Sequence, residues 1–467
     1  MSEPDSPTPT PRFPEGEKPA RLRLPNWRQD ALRTTFWVVP VLLIAVAIIL
    51  FVVTFEIDLA AYHHHLTLPS WLRAGSPDAG RQVLIAIAAA VITTIGVVFS
   101  ITILALTLAS QQFGPRMMRN FIRDLGNQMT LGVFVATFVY SVLGLGSITE
   151  LPAGDFTPHL TITVAEAFLL VDLAVLIYFI HHIAKSIQLP EVIAGIARDL
   201  DQAIDAEFPD HRPDADRVAG PTAEAAELIE KLDTRGAAIT AKHSGYLQFV
   251  GYGQLIEIAE KLDGVIRLSR RPGHFVVGGS RLATVWPAGA ARQVESALDK
   301  AHVTGPHRTL IQDPVFAIDQ LVEIAIRALS PAVNDTFTAL TCIDWISAGL
   351  SKISGRVLEE GVYRGRSGKI RLIEFDPSYG RMVNRAFDKI RQAGRGMPAV
   401  IIRLIDALSH VTGSSTDRRQ RATLLRQAEM IMRGAEAEVP EPNDLADIRA
   451  RFERLAQLSR ALDEKAS

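Results

Sequence analysis

Residues 83–109 read VLIAIAAAVITTIGVVFSITILALTLA, twenty-seven positions without one charged side chain. At 1.5 Å rise per residue, about 20 such residues already span a hydrocarbon core of roughly 30 Å. This stretch therefore predicts a long membrane helix that tilts or protrudes. Three further apolar stretches are about long enough: Thr35 to Phe55 and Met129 to Ser147, both uncharged, and His159 to His182, which carries Glu166 and Asp172. No later uncharged stretch is long enough. The expectation is a membrane protein with an α-helical four-span bundle over 31–183, its spans at about 35–55, 83–109, 129–147 and 159–182.

The first span is too long for a signal-peptide core and lacks a small-residue cleavage site, so it reads as a retained anchor. Before it, residues 1–30 are rich in Pro, Ser, Thr and Glu, a composition that buries too little apolar surface to order itself. They are expected to be a disordered cytosolic tail. Lys and Arg near the span ends set orientation. Arg21, Arg23, Arg28 and Arg33 precede the first span, Arg116, Arg119 and Arg123 follow the second, and Lys185 follows the fourth. The loop after the first span has only Arg73 and Arg81, and that after the third has only Glu150 and Asp155. The bias predicts a multi-pass membrane protein with both termini cytoplasmic.

Within 467 residues, 49 basic and 51 acidic side chains nearly cancel, so bulk charge gives no reason to expect a nucleic-acid partner. The one cysteine, Cys342, excludes a disulfide framework or a zinc site built on paired cysteines.

The second span carries a polar stripe. At 100° per residue Thr93, Gly96, Ser100 and Thr107 share one face. Small residues there either let helices approach closely or line a pore. In the third span Gly132, Ala136, Tyr140 and Gly144 recur every four residues and read as packing. Beyond Gly114-Pro115, Arg116, Arg119 and Arg123 line one face of a basic amphipathic helix. It either anchors to anionic headgroups or forms an inner-mouth ring that attracts anions. In the fourth span Glu166 and Asp172 are intramembrane ionisable residues, a functional expectation by default. Asp172 serves either a proton or cation path or a structural hydrogen bond to a hydroxyl of the second span. Tyr178, His181, His182 and Lys185 cluster at the inner end of the span. His63, His64 and His65 are adjacent and cannot all point at one ion, which argues against a metal site.

After the spans, 184–242 reads as a helical connector, with a helix over 190–208 on Val192, Ile193, Ile196, Leu200 and Ile204, and another over 222–240. From 243 to 288 the period changes. A strand at 244–249, a short helix at 254–262 and two glycine-punctuated strands follow. Gly273, Val276, Gly279, Leu282 and Val285 form a pattern that resembles half of the barrel-sandwich hybrid (biotinyl/lipoyl-like) fold. His274 stands where that fold often has Asp, and no lysine is placed for a prosthetic group. The resemblance implies a small β-barrel-sandwich-like insert and no cofactor. Residues 289–467 read as a helical cytosolic domain. In it Asp313 can cap a helix starting at Pro314. Asp319, Glu323 and Asp335 with Asn334 are either cation ligands or capping and paired groups, such as Glu323 with Arg327. Asp344 lies on the next helix. No nucleophile with a triad-like context, no phosphate loop and no H-E-x-x-H motif is present, so no enzyme is expected and no cofactor or metal is called for.

Four strings carry a wider resemblance: VVFSITILALTLASQQFGPRMMRNFIRDLGNQMTLGVFVATFVYSVL, YFIHHIAKSIQLPEVI, RPGHFVVGG and QDPVFAIDQLVEIAIRALSPAVNDTFTALTCIDWI. The chain resembles, over nearly all of 30–435, a family of bacterial predicted membrane proteins carrying a domain of unknown function. That resemblance implies an inner-membrane location and transfers no activity. Two functions fit these features. One is a homo-oligomeric ion channel or permeation pathway with a cytosolic regulatory domain, its partners being the lipid bilayer, further copies of the chain and inorganic ions. The other is a membrane-anchored sensor or scaffold without transport.

Overall fold

The computed structural model describes residues 37–63, 69, 76–113, 124–151, 154–208, 223–356, 361–374 and 379–465. The tail before residue 37 and the segment 114–123, with Arg116, Arg119 and Arg123, lie outside the described residues, as do His64 and His65.

Among the described residues four helices are long and apolar enough to cross a membrane: α1 Val38–Tyr62, α2 Pro77–Phe113, α3 Leu125–Ser147 and α4 His159–Ser186. With 37 residues, α2 extends roughly 55 Å at 1.5 Å per residue, well beyond the hydrocarbon core. Helix α3 packs against all three others and is the most buried of the four. Its small residues permit this. A Cβ at Gly132 would come within 2.6 Å of Leu43 Cδ1 and 3.1 Å of Pro40 Cα, and one at Gly144 within 3.2 Å of Thr161 Cγ2. Close approach at glycine is how spans pack where the hydrophobic effect cannot drive them together. The interior is filled by Leu84, Phe134, Tyr140 and Phe179. A short hairpin of β1 (Thr149–Leu151) and β2 (Gly154–Phe156) joins α3 to α4.

Leu189-Pro190 then opens α5 (Leu189–Glu207), where proline at the helix start loses no intrahelical bond. The segment expected to be a connector is part of the C-terminal core. Ile193, Ile196, Leu200 and Ile204 of α5 pack with residues from 317 to 455. The helix expected over 222–240 is shorter. Helix α6 (Ala223–Arg235) ends at Gly236, where the chain turns so closely over the Leu232 carbonyl that a Cβ would come within 2.4 Å of its oxygen, and β3 (Ala237–Thr240) follows.

The remaining β-unit holds β4 (Gly245–Val250), α7 (Tyr252–Lys261), β5 (Val265–Leu268), β6 (Phe275–Val276), β7 (Arg281–Trp286), α8 (Ala291–Ala301) and β8 (His302–Gly305). Two sheets form, one in the order β6-β4-β8. The other takes in β9 (Val362–Arg364) and β10 (Ile370–Ile373) from a hundred residues downstream, in the order β3-β7-β5-β10-β9. Strand β10 runs parallel to β5, and the other pairings are antiparallel. The expected half-barrel is thus corrected to open, mixed sheets whose strands reach beyond 243–288. The glycine punctuation has the anticipated cause: Gly273 and Gly279 adopt φ of +88° and +80°, which a Cβ disfavours.

Helices α9 (Pro314–Ala328), α10 (Thr336–Ser354), α11 (Tyr379–Ala393), α12 (Pro398–Ser414), α13 (Arg418–Glu438) and α14 (Pro442–Lys465) enclose the largest apolar core together with α5.

Candidate functional site

On α2, Leu84, Ile87, Val91, Val98 and Ala105 are buried against the bundle. Thr93, Gly96, Ser100 and Thr107 lie on the opposite side, exposed, and a Cβ at Gly96 would meet nothing within 4 Å. The stripe therefore does not pack against the other spans of the chain. Each hydroxyl donates to the carbonyl four residues earlier: Thr93 to Ala89 at 2.8 Å, Ser100 to Gly96 at 2.8 Å, Thr107 to Ile103 at 2.9 Å. With its proton so used, each oxygen presents acceptor lone pairs outward.

Inside the bundle the polar groups form a network that sequence reading did not single out. Asp58 of α1 accepts from the backbone N–H groups of Leu160 at 2.8 Å and Thr161 at 2.9 Å, and from the Thr161 hydroxyl at 2.8 Å. It thereby caps the first turn of another helix, α4. Thr54, one turn before Asp58, shares a 2.8 Å hydrogen bond with the Tyr140 hydroxyl and lies 3.3 Å from the Thr161 hydroxyl oxygen. The available signal was the four-residue spacing of Thr54 and Asp58 on an otherwise apolar helix.

Asp172 accepts from Thr137 of α3 at 3.1 Å, so its hydroxyl partner comes from the third span and not the second. Its Oδ2 is buried without a partner among the described residues. Glu166 is exposed. At the far end of α4, His182 Nε2 lies 2.8 Å from Asp124, which caps α3 through the Asn127 N–H at 3.1 Å, and Tyr178 stacks on His182. Lys185 sits 3.5 Å from Glu191 at the surface.

Of the carboxylates of 313–350, Asp313 and Asp319 share Arg308, whereas Asp335 and Asp344 are engaged elsewhere. Asp313 stands at the cap position of α9 without capping it. Instead Arg308 donates to Asp313 Oδ2 from Nε at 2.9 Å and pairs with it through Nη2 at 2.7 Å. Asp319 takes Arg308 and also Arg385, at 2.5 and 2.7 Å. Asp335 caps α10 by accepting from Thr338 N at 3.1 Å, and Asp344 pairs with Arg403 at 2.9 Å. Among the described residues no group of three or more His, Cys, Asp or Glu side chains is placed to hold a metal ion. Burial pushes the Cys342 thiol up to about 12, far from the range of a reactive thiolate.

Residues 33–410 match the family model described as predicted membrane protein (DUF2254). An uncharacterized protein of Mycobacterium tuberculosis, Rv1290c, is 34% identical over 379 residues, covering 80% of this chain and 71% of its own. Mb1321c of Mycobacterium bovis, also uncharacterized, matches to the same extent. The chain belongs to the DUF2254 family of predicted membrane proteins. No solved structure matches it. The family match takes in the four spans and both sheets, and also a second polar region at the seam between the β-unit and the helices.

There the Pro272-Gly273 turn lies so close over Asp313 that a Cβ at Gly273 would strike its carboxylate. The turn is tied to β4 by Gly273 N to Leu247 O at 2.7 Å and Leu247 N to His274 O at 2.9 Å. Burial, then Arg271, Arg270, Arg381 and Arg308, lower the His274 imidazole to about 4. The sign of the consequence is definite. Between about pH 6.5 and 4 the unfolded chain takes up a proton that the folded chain refuses, so stability falls as pH falls through that window. His274→Gln should show a shallower fall of melting temperature from pH 7 to pH 5 than the parent. Identical slopes would show that His274 does not contribute.

Proposed function

We propose that the protein is an ion channel or permeation pathway of the bacterial inner membrane, built as a homo-oligomer around α2. Both termini lie in the cytoplasm, and the C-terminal region acts as a cytosolic regulatory domain. On this reading the chain catalyses no reaction and needs no cofactor; its partners are the bilayer, other copies of itself and inorganic ions.

The exposed face of α2 carries the proposal. Thr93, Gly96, Ser100 and Thr107 turn away from the bundle along a helix longer than the hydrocarbon core. Aromatic side chains fill the four-span interior, so a pathway would run between copies rather than through one. Glu166 supports the same arrangement, because ionisable residues in spans face bundle interiors or water-filled cavities. Outward lone pairs of the α2 hydroxyls suit cations or water, whereas Arg116, Arg119 and Arg123, which follow α2 in the sequence, would favour anions if they ring the inner mouth. The reversal potential under a salt gradient decides between them. The full chain should run as one oligomer in native mass spectrometry and carry ion flux in proteoliposomes. A stable monomer without flux would leave the alternative, a membrane-anchored sensor or scaffold, which the large C-terminal region favours.

The orientation rests on the Lys and Arg bias of the loops. In intact cells a membrane-impermeant thiol reagent should label a cysteine placed at Asp78 and spare one placed at Lys300. The reverse pattern would invert the topology.

A further inference from the structure

A cavity of about 100 Å³ opens at the seam where the β5–β6 turn meets α9 and α11. Arg271 and His274 reach it from the turn, Arg308 and Asp313 from the loop before α9, and Arg381 and Arg385 from α11. Counting described residues, these four arginines face two carboxylates, Asp313 and Asp319.

Arg308, Arg381 and Arg385 are already engaged. Arg308 is held between Asp313 and Asp319 and lies over the Phe316 ring at 5.0 Å. Arg385 binds Asp319 through Nε and Nη2, which keeps its Nη1 available. Arg271 is different. It is only 7% exposed, and its guanidinium makes no hydrogen bond or ion pair with any described residue, only a longer-range attraction to Asp313. A guanidinium keeps its charge in proteins, so it cannot escape burial by losing a proton. A buried, permanently charged set of donors lining a cavity is matched by an anion. The size of the cavity suits one compact anionic group, not a peptide. Donors that converge from three separate elements suit the several oxygens of a tetrahedral oxyanion better than the planar pair of a carboxylate.

We propose that this seam binds a phosphate-type oxyanion, with Arg271 as its principal anchor and His274, Arg381 and Arg385 around it. The group is inorganic phosphate or the terminal phosphate of a small phosphomonoester. Because Arg271 belongs to the β-unit and Arg381 and Arg385 to the helices, the bound anion ties the two together. The proposal does not rest on transport and is read without it.

The test uses the full chain in mild detergent, titrated with inorganic phosphate or with glycerol phosphate, each against chloride at matched ionic strength. Phosphate at ten times its Kd should raise the melting temperature by roughly 3 °C over chloride. A larger shift with glycerol phosphate at equal concentration would assign the site to an ester, and an equal or smaller one to the free ion. Arg271→Gln should weaken binding at least tenfold. Arg385→Gln, at a rim position with its side chain 53% exposed, should weaken it about threefold and keeps the test available if the first variant fails to fold. A response to phosphate no greater than to chloride, or undiminished binding by a folded Arg271→Gln protein, would overturn the proposal.

Discussion

Leucine at Ser100 is expected to abolish ion flux through the reconstituted protein, a loss of more than tenfold, while insertion and assembly stay intact. Ser100 is exposed on α2, and its hydroxyl bonds only to Gly96 of the same helix. Replacing it removes no contact within the protomer, and leucine is a better helix former than serine. If α2 surrounds a pathway, one leucine per copy makes an apolar ring near the middle of the membrane, and such rings exclude water. The measurement is flux in proteoliposomes beside native mass spectrometry of the same sample. Wild-type flux through the leucine variant would remove α2 from the pathway. Loss of the oligomer would instead show that the stripe is a packing surface between copies.

The second large effect is expected at Asp58. Asp58→Ala leaves the first turn of α4 without its acceptor: the N–H groups of Leu160 and Thr161 lose their partner, and the Thr161 hydroxyl keeps only its 3.3 Å contact with Thr54. Buried donors left unsatisfied cost about 1–3 kcal/mol each, so a total of about 3 kcal/mol is a reasonable scale. Asp58→Asn keeps an acceptor oxygen and should lose less. Thermal unfolding in detergent, followed by loss of the monodisperse peak, should rank the proteins parent, Asn, Ala. Equal stability of parent and Ala variant would mean that the cap contributes nothing. No pathway role is needed for this effect, so it separates the stability of the bundle from its function.

Some of this protein was legible from order along the chain alone. A run such as 83–109 leaves a membrane as its natural solvent, because its apolar content and length are local properties. The same holds for the glycine turns at 273 and 279 and for the α5 face on Ile193, Ile196, Leu200 and Ile204, where periodicity and backbone sterics act within a few residues. The helical stripe of α2 was also visible, but what it faces was not. Whether Ser100 packs or is exposed depends on which side of α2 the other spans occupy, and packing on Leu84, Val91 and Val98 settled that.

Groups whose meaning is a partner far along the chain needed the tertiary structure. Asp58 and Thr161 are 103 positions apart, and nothing near Asp58 announces that it caps α4. Asp172 took its hydroxyl from Thr137 because α3, not α2, runs centrally through the bundle. Residues 370–373 are too short a run to declare themselves a strand, and only pairing beside β5 makes them one. Asp313 looked like a helix cap because capping is a local habit of aspartate. The turn at Gly273 and the guanidinium of Arg308 gave it another task, and in the same fold brought Arg271 into a buried seam. Sequence order determines which side chains a helix or turn presents; only the folding of distant segments onto one another decides which charges are left facing each other away from water.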